Sequence, residues 1–172
     1  MIIIIHGTFS TPTDNWFPWL KKELNAITPT FPTPENQNLT NWLDVMKNYK
    51  ITKDTILIGH SSGATFILSL LEKYECKAAF LVAGFTGKLN ISLDPLNKTF
   101  AEKEFDWEKI KENCKQIYMF HSDNDPYVPL ENAKNLQEHL NAKLTIIPNG
   151  QHLNKTAGFT KFPLLLKKIK EI

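Results

Sequence analysis

The chain has no arginine, and all 20 of its basic residues are lysine. Bidentate clamping of phosphate and the reading of guanine both use the guanidinium fork, so phosphoryl transfer and sequence-specific nucleic-acid binding lose their usual instrument. The lysines alternate with glutamates, as in EKEFDWEKIKENCK, which is the pattern of a solvated helix face. Cysteine is almost missing too: Cys76 and Cys114 alone are neither a disulfide framework nor a zinc ligand set. No apolar run approaches the roughly 18 residues that span a bilayer. The opening MIIIIHG lacks both a basic leader and a small-residue cleavage pattern. These absences predict a cytoplasmic protein with neither a nucleic-acid nor a membrane partner.

What is present suits one α/β domain. The 172 residues, 42% hydrophobic and 22% charged, are enough for a single core without metals or disulfides. Five short apolar runs (2–5, 55–58, 78–83, 117–120 and 144–147) are continuous rather than alternating, as strands of a parallel sheet covered on both faces should be. A sixth, weaker strand is expected near Pro29 to Phe31. Between the runs the period becomes helical: Trp16, Leu20, Leu24 and Ile27 form one stripe, with Asp14 as a candidate cap, and Leu39, Trp42, Leu43 and Met46 form another. Further helices are expected after residue 63, around 106–113, around 133–140 and at the tail. The prediction is a doubly wound, three-layer α/β/α fold with a mostly parallel sheet of about six strands in the order 2-1-3-4-5-6. The stretch 86–113 is long enough for a small cap over a site or for a plain surface excursion.

One apolar run breaks in a particular way. DTILIGHSSGA carries Gly59-His60-Ser61-Ser62-Gly63, the G-x-S-x-G spacing that puts a serine on a sharp turn between strand and helix with its hydroxyl exposed. A serine hydroxyl is a poor nucleophile until a base removes its proton, so this reading of Ser61 requires an acid and a histidine later in the chain. After the run QIYMF comes HSDNDPYVP, and after LTIIP comes NGQHLN. Both lie on loops that share the ligand-binding sheet edge with the serine. Asp125 is preferred to Asp123 as the acid, because Pro126 restricts the backbone before it and so limits where the Asp125 carboxylate can point.

Of the five histidines, only His152 combines a loop position with the correct order. His139 lies mid-helix, His121 ends a strand, His6 begins the first loop, and His60 sits inside the turn pointing away from the nucleophile. His6, His60 and His121 lack the close spacing of zinc motifs. For the developing oxyanion, IHGTF follows the first strand as Ser61 follows another. The main-chain N–H of Thr8, or secondarily Phe9, is then expected to face that of Ser62. The Ser62 side chain itself is expected to be dispensable. Phe9, Trp16, Phe85, Trp107 and Tyr127 are candidate substrate-lining aromatics, suited to short, uncharged acyl groups.

Taken in order, HGTFSTPTDNWFPWLKKEL, TILIGHSSGA, FDWEKIKENC, SDNDPYVP and GQH resemble the small serine hydrolases of the retinoblastoma-binding-protein-nine type, a lidless branch of the α/β-hydrolase superfamily. The resemblance covers nearly the whole length. It implies an intracellular hydrolase with Ser61 as nucleophile, Asp125 as acid and His152 as base, and superfamily loops at the acid commonly read Asp-x-x-Val-Pro, as Asp125 to Pro129 does. The reading that follows is a cofactor-free hydrolase acting on a small ester or amide through an acyl-enzyme. The Leu-x-Cys-x-Glu pocket-protein motif of the vertebrate namesake is missing from the corresponding MKNYKITKDT, so pocket-protein binding does not carry over. The alternatives are a small serine peptidase and an interaction module that kept the hydrolase fold.

Overall fold

A computed structural model describes all 172 residues. In chain order the elements are β1 (Ile2–Ile5), α1 (Phe17–Leu24), α2 (Leu39–Met46), β2 (Ile56–His60), α3 (Ser62–Leu71), β3 (Ala78–Val82), α4 (Asp94–Ala101), α5 (Trp107–Asn113), β4 (Ile117–Ser122), α6 (Leu130–Leu140), β5 (Lys143–Ile147), a 3-10 turn (Lys155–Ala157) and α7 (Pro163–Lys170). Strand geometry sends successive side chains to opposite faces, and this divides the core. Ile3, Ile5, Leu57, Ala79, Leu81 and Met119 join one buried cluster with Trp42, Phe66, Phe100, Ile110 and Leu136. Ile4, Ile58, Phe80, Val82 and Phe120 join the other with Phe17, Leu20, Leu165 and Ile169. Helices α2 to α6 therefore cover one face of the sheet, and α1 and α7 the other.

The five strands run β1-β2-β3-β4-β5, all parallel. Parallel order brings their C-terminal ends to one edge, where Ile5 pairs with Gly59 and His60 with Val82. Strand β5 is the edge, and Ile146 there is 44% exposed. The expected sixth strand shrinks to a single parallel bridge between Ile27 and Ile3 on the outer side of β1. Its place matches the anticipated order, but it falls at Ile27 rather than at 29–31. Pro29 and Pro32 have no N–H for a ladder, and the Phe31 N–H is taken by the His6 ring at 3.0 Å.

Helix α1 also differs from expectation at both ends. Its N-cap is Trp16, and the Asp14 carboxylate instead accepts from the Thr11 N–H at 2.7 Å and the Thr11 hydroxyl at 2.8 Å. It stops at Leu24 because Asn25 turns left-handed (φ 50°), which frees Ile27 for the bridge. Helix α3 is buried at every residue. The stretch 86–113 contains α4 and α5, with Phe100 and Ile110 sealing the core over α3.

Candidate active site

Ser61 joins β2 to α3 with φ 55° and ψ −124°, a conformation L-residues rarely hold and one that costs on the order of 1–3 kcal/mol. The two flanking glycines make room for it. A Cβ on Gly59 would lie 2.6 Å from the Gly63 carbonyl, and one on Gly63 would strike the carbonyl oxygens of Ile5 and His6. The Ser61 N–H donates to the Val82 carbonyl at 2.8 Å, and the Ser61 carbonyl accepts from Ala64 and Thr65 at 2.9 and 3.2 Å. The backbone is therefore pinned while the hydroxyl makes no capping bond.

The loop after β4 presents Asp125, whose side chain is completely buried. One carboxylate oxygen accepts the N–H groups of Tyr127 and Val128 at 2.9 and 3.0 Å; the other accepts from His152 Nδ1 at 2.8 Å. Burial raises the Asp125 pKa, but the bonds from His152, Tyr127 and Val128 outweigh it and hold the group below the usual carboxylate range. Asp123 does something else: it accepts from the Asn149 N–H at 2.8 Å, and Asn124 accepts from the Gln151 N–H at 2.8 Å. These bonds clamp the loop that delivers His152.

With Nδ1 committed to Asp125, His152 Nε2 is the free ring nitrogen. Ser61 and His152 line one cavity of about 370 Å³. No hydrogen bond joins them; such bonds commonly tighten only around a substrate. The Tyr127 ring stands edge-on to His152 at 5.0 Å.

The N–H groups of Thr8 and Ser62 meet no protein acceptor, whereas that of Phe9 donates to Thr33 Oγ1 at 2.9 Å. Thr8 and Ser62 line the same cavity as Ser61. Their hydroxyls lie 2.7 Å apart, and the Ser62 hydroxyl donates to Asn97 Oδ1 at 2.7 Å. The Ser62 side chain, expected to be dispensable, is thus part of a buried polar cluster.

A family model described as serine hydrolase matches residues 2–171. The chain belongs to the serine hydrolase family. It is 34% identical over 175 residues to YdeN of Bacillus subtilis, spanning 95% of this chain and 91% of the relative. It is 29% identical over 180 residues to the serine hydrolase RBBP9 of Rattus norvegicus, spanning 100% and 94%. The crystal structure of the B. subtilis ydeN gene product superposes with a TM-score of 0.92 at 32% identity, covering 99% of this chain and 96% of that one. Est1E from Butyrivibrio proteoclasticus shares the fold at a TM-score of 0.72 and 17% identity, covering 99% and 85%.

Of the aromatics expected around the site of this serine hydrolase, Phe9, Phe85 and Tyr127 line the cavity. Trp16 does not: it is fully buried and donates its indole N–H to the Leu153 carbonyl at 3.0 Å, so it anchors the His152 loop from beneath. Trp107 is also elsewhere, stacked on His139 at 4.6 Å. The apolar wall comes instead from Leu89, Ile91 and Leu93, in the stretch left open between cap and excursion.

His60 and His121, set aside as bases on sequence grounds, support the loops instead. His60 Nε2 donates to the His152 carbonyl at 2.9 Å, and burial, reinforced by His152, depresses its pKa to about 3. His121 Nε2 donates to the Val128 carbonyl at 2.8 Å, and burial lowers its pKa as well. Both rings are neutral spacers under the loops that carry His152 and Asp125. No helix is long and apolar enough to cross a membrane.

Proposed function

We propose that this serine hydrolase cleaves small carboxylic esters, and amides less readily, through an acyl-enzyme. The observation that carries this reading is the 2.8 Å bond from His152 Nδ1 to buried Asp125, on a histidine that shares a cavity with the strained Ser61. The bond fixes the tautomer with Nε2 unprotonated, which is the form a general base needs. Ser61 Oγ attacks the substrate carbonyl carbon as its proton passes to His152 Nε2. A C–O bond forms, and the carbonyl electrons move to oxygen. The N–H groups of Thr8 and Ser62, which have no protein acceptor, receive that oxyanion, each worth about 3 kcal/mol. Collapse expels the alcohol or amine with the proton from His152. Water then repeats the cycle and releases the acid.

Acyl preference follows from the walls. Phe85, Leu89, Ile91, Leu93 and Val128 form an apolar wall of the cavity of about 370 Å³, which suits short, uncharged acyl groups. His60, neutral down to about pH 3, adds no positive charge beside the base.

The test is a fluorophosphonate probe together with a panel of acetyl to dodecanoyl p-nitrophenyl esters and aminoacyl anilides on purified protein. The reading expects one labelled serine, turnover fastest on the short esters, and loss of both in Ser61→Ala. Labelling without product release would favour an interaction module. Preference for the anilides would make the protein a peptidase.

A further inference from the structure

Thr8, Thr33, Gln37, Ser62 and Asn97 come from separate parts of the chain and meet in one hydrogen-bonded cluster. Gln37, Ser62 and Asn97 are 8%, 1% and 4% exposed. Uncharged polar groups buried this far are costly unless every one is paired, and here each has a partner.

The Phe9 N–H donates to Thr33 Oγ1 at 2.9 Å, and the Thr33 hydroxyl donates to Gln37 Oε1 at 2.6 Å. Gln37 Nε2 then donates to Thr8 Oγ1 at 2.8 Å and to the Leu96 carbonyl at 3.2 Å. A flipped Gln37 amide would set its oxygen against that carbonyl, so the amide has one orientation. Asn97 Oδ1 accepts from the Ser62 hydroxyl at 2.7 Å and from the Thr8 hydroxyl at 3.1 Å, and the Thr8 and Ser62 hydroxyls share a bond of 2.7 Å. Asn97 Nδ2 closes the chain on the Leu93 carbonyl at 3.2 Å.

Thr8 and Ser62, whose N–H groups have no protein acceptor, are thereby bonded to each other through their side chains. Phe9, the competing donor, has its N–H occupied. We infer that Thr33, Gln37 and Asn97 are positioning residues that hold the Thr8 and Ser62 N–H groups at one fixed spacing and keep the Phe9 N–H out of the pair. This rests on the acyl-enzyme reading above. A misplacement of about 1 Å at such a site costs on the order of 10²-fold in rate, so even partial slackening should be visible in kcat.

The experiment compares wild type with Gln37→Met, Thr33→Val and Thr33→Ser. It measures kcat and KM on p-nitrophenyl acetate, the rate of fluorophosphonate labelling, and melting temperature. Gln37→Met should lower kcat and labelling by about tenfold or more with KM within about twofold, because the donors act on the oxyanion rather than on the bound ester. Thr33→Val should move kcat in the same direction, and Thr33→Ser, which keeps the hydroxyl, should restore it. Folded variants with wild-type kcat, or with a raised KM alone, would overturn the inference. If Gln37→Met does not fold, the Thr33 pair decides on the same criterion. Failure of the acyl-enzyme reading looks different, because wild type itself would then carry no label on Ser61, and the inference would fall with it.

Discussion

His60 Nε2 donates to the main-chain carbonyl of His152 at 2.9 Å, so the residue that precedes Ser61 holds the loop that carries His152. Strand β2 thus fixes Ser61 through the chain and His152 through a side chain. His60→Phe keeps an aromatic ring but leaves that carbonyl buried without a donor, at a cost of about 1–3 kcal/mol. Melting temperature should fall by on the order of 5 °C. Turnover of p-nitrophenyl acetate by the folded variant should fall about tenfold as His152 loosens. Wild-type kcat in this variant would show that the bond supports folding only.

Acid should destabilise the fold from near neutrality. His6, His60 and His121 all have pKa values lowered first by burial, whereas in the unfolded chain each titrates near 6.5. Below about pH 6.5 the unfolded state therefore binds more protons, and stability falls with decreasing pH, by up to about 1.4 kcal/mol per pH unit for each histidine. For His60 the loss continues to about pH 3. Asp125, held below the usual carboxylate range, adds a loss in the same direction at the acid end. Urea midpoints taken at intervals from pH 8 to pH 4 measure this, and a flat profile between pH 7 and pH 5 would contradict it.

The two aspartates of one loop should separate cleanly. Asp125→Asn removes the acceptor that fixes the His152 tautomer and should cut turnover by up to ~10⁴. Asp123→Ala frees the Asn149 N–H and should lower melting temperature while costing turnover about tenfold or less. Parallel rates and melting curves decide it. A crippled Asp123→Ala beside an active Asp125→Asn would reverse the assignment.

Strain at the elbow gives a prediction about stability alone. At φ 55° and ψ −124° any Cβ at position 61 is unfavourable, and glycine has none. Ser61→Gly should therefore melt above Ser61→Ala, by about 1 kcal/mol in unfolding free energy. Equal stability would mean that the elbow holds no strain.

How much of this was legible in the sequence depended on local signals. The strands are readable because both faces of the sheet are buried, which makes Ile2 to Ile5 and Ala78 to Val82 unbroken apolar runs. The weak outer strand was misplaced because prolines and the His6 ring claim the residues that looked extended. Around the cavity, Thr8, Ser61 and His152 stand in turns after strand ends and Ser62 opens α3, where glycine and residue order mark them. Gln37 and Asn97 carry no such mark. Their side chains meet only because α4 packs across α3, a long-range contact that no local pattern encodes. Trp16 and Trp107 misled for the opposite reason: proximity to loops in sequence said nothing about which way each ring turned.

Acylation of Ser61 can be caught by trapping the intermediate. Wild type mixed with excess p-nitrophenyl acetate and quenched in acid within milliseconds should release about one equivalent of p-nitrophenol in a burst. Peptide mass spectrometry should then find the acetyl group on Ser61 and no other residue, with Asp125→Asn slowing its appearance. Steady turnover with no burst and no acetyl on Ser61, or an undiminished rate in Ser61→Ala, would rule out an acyl-enzyme at this serine.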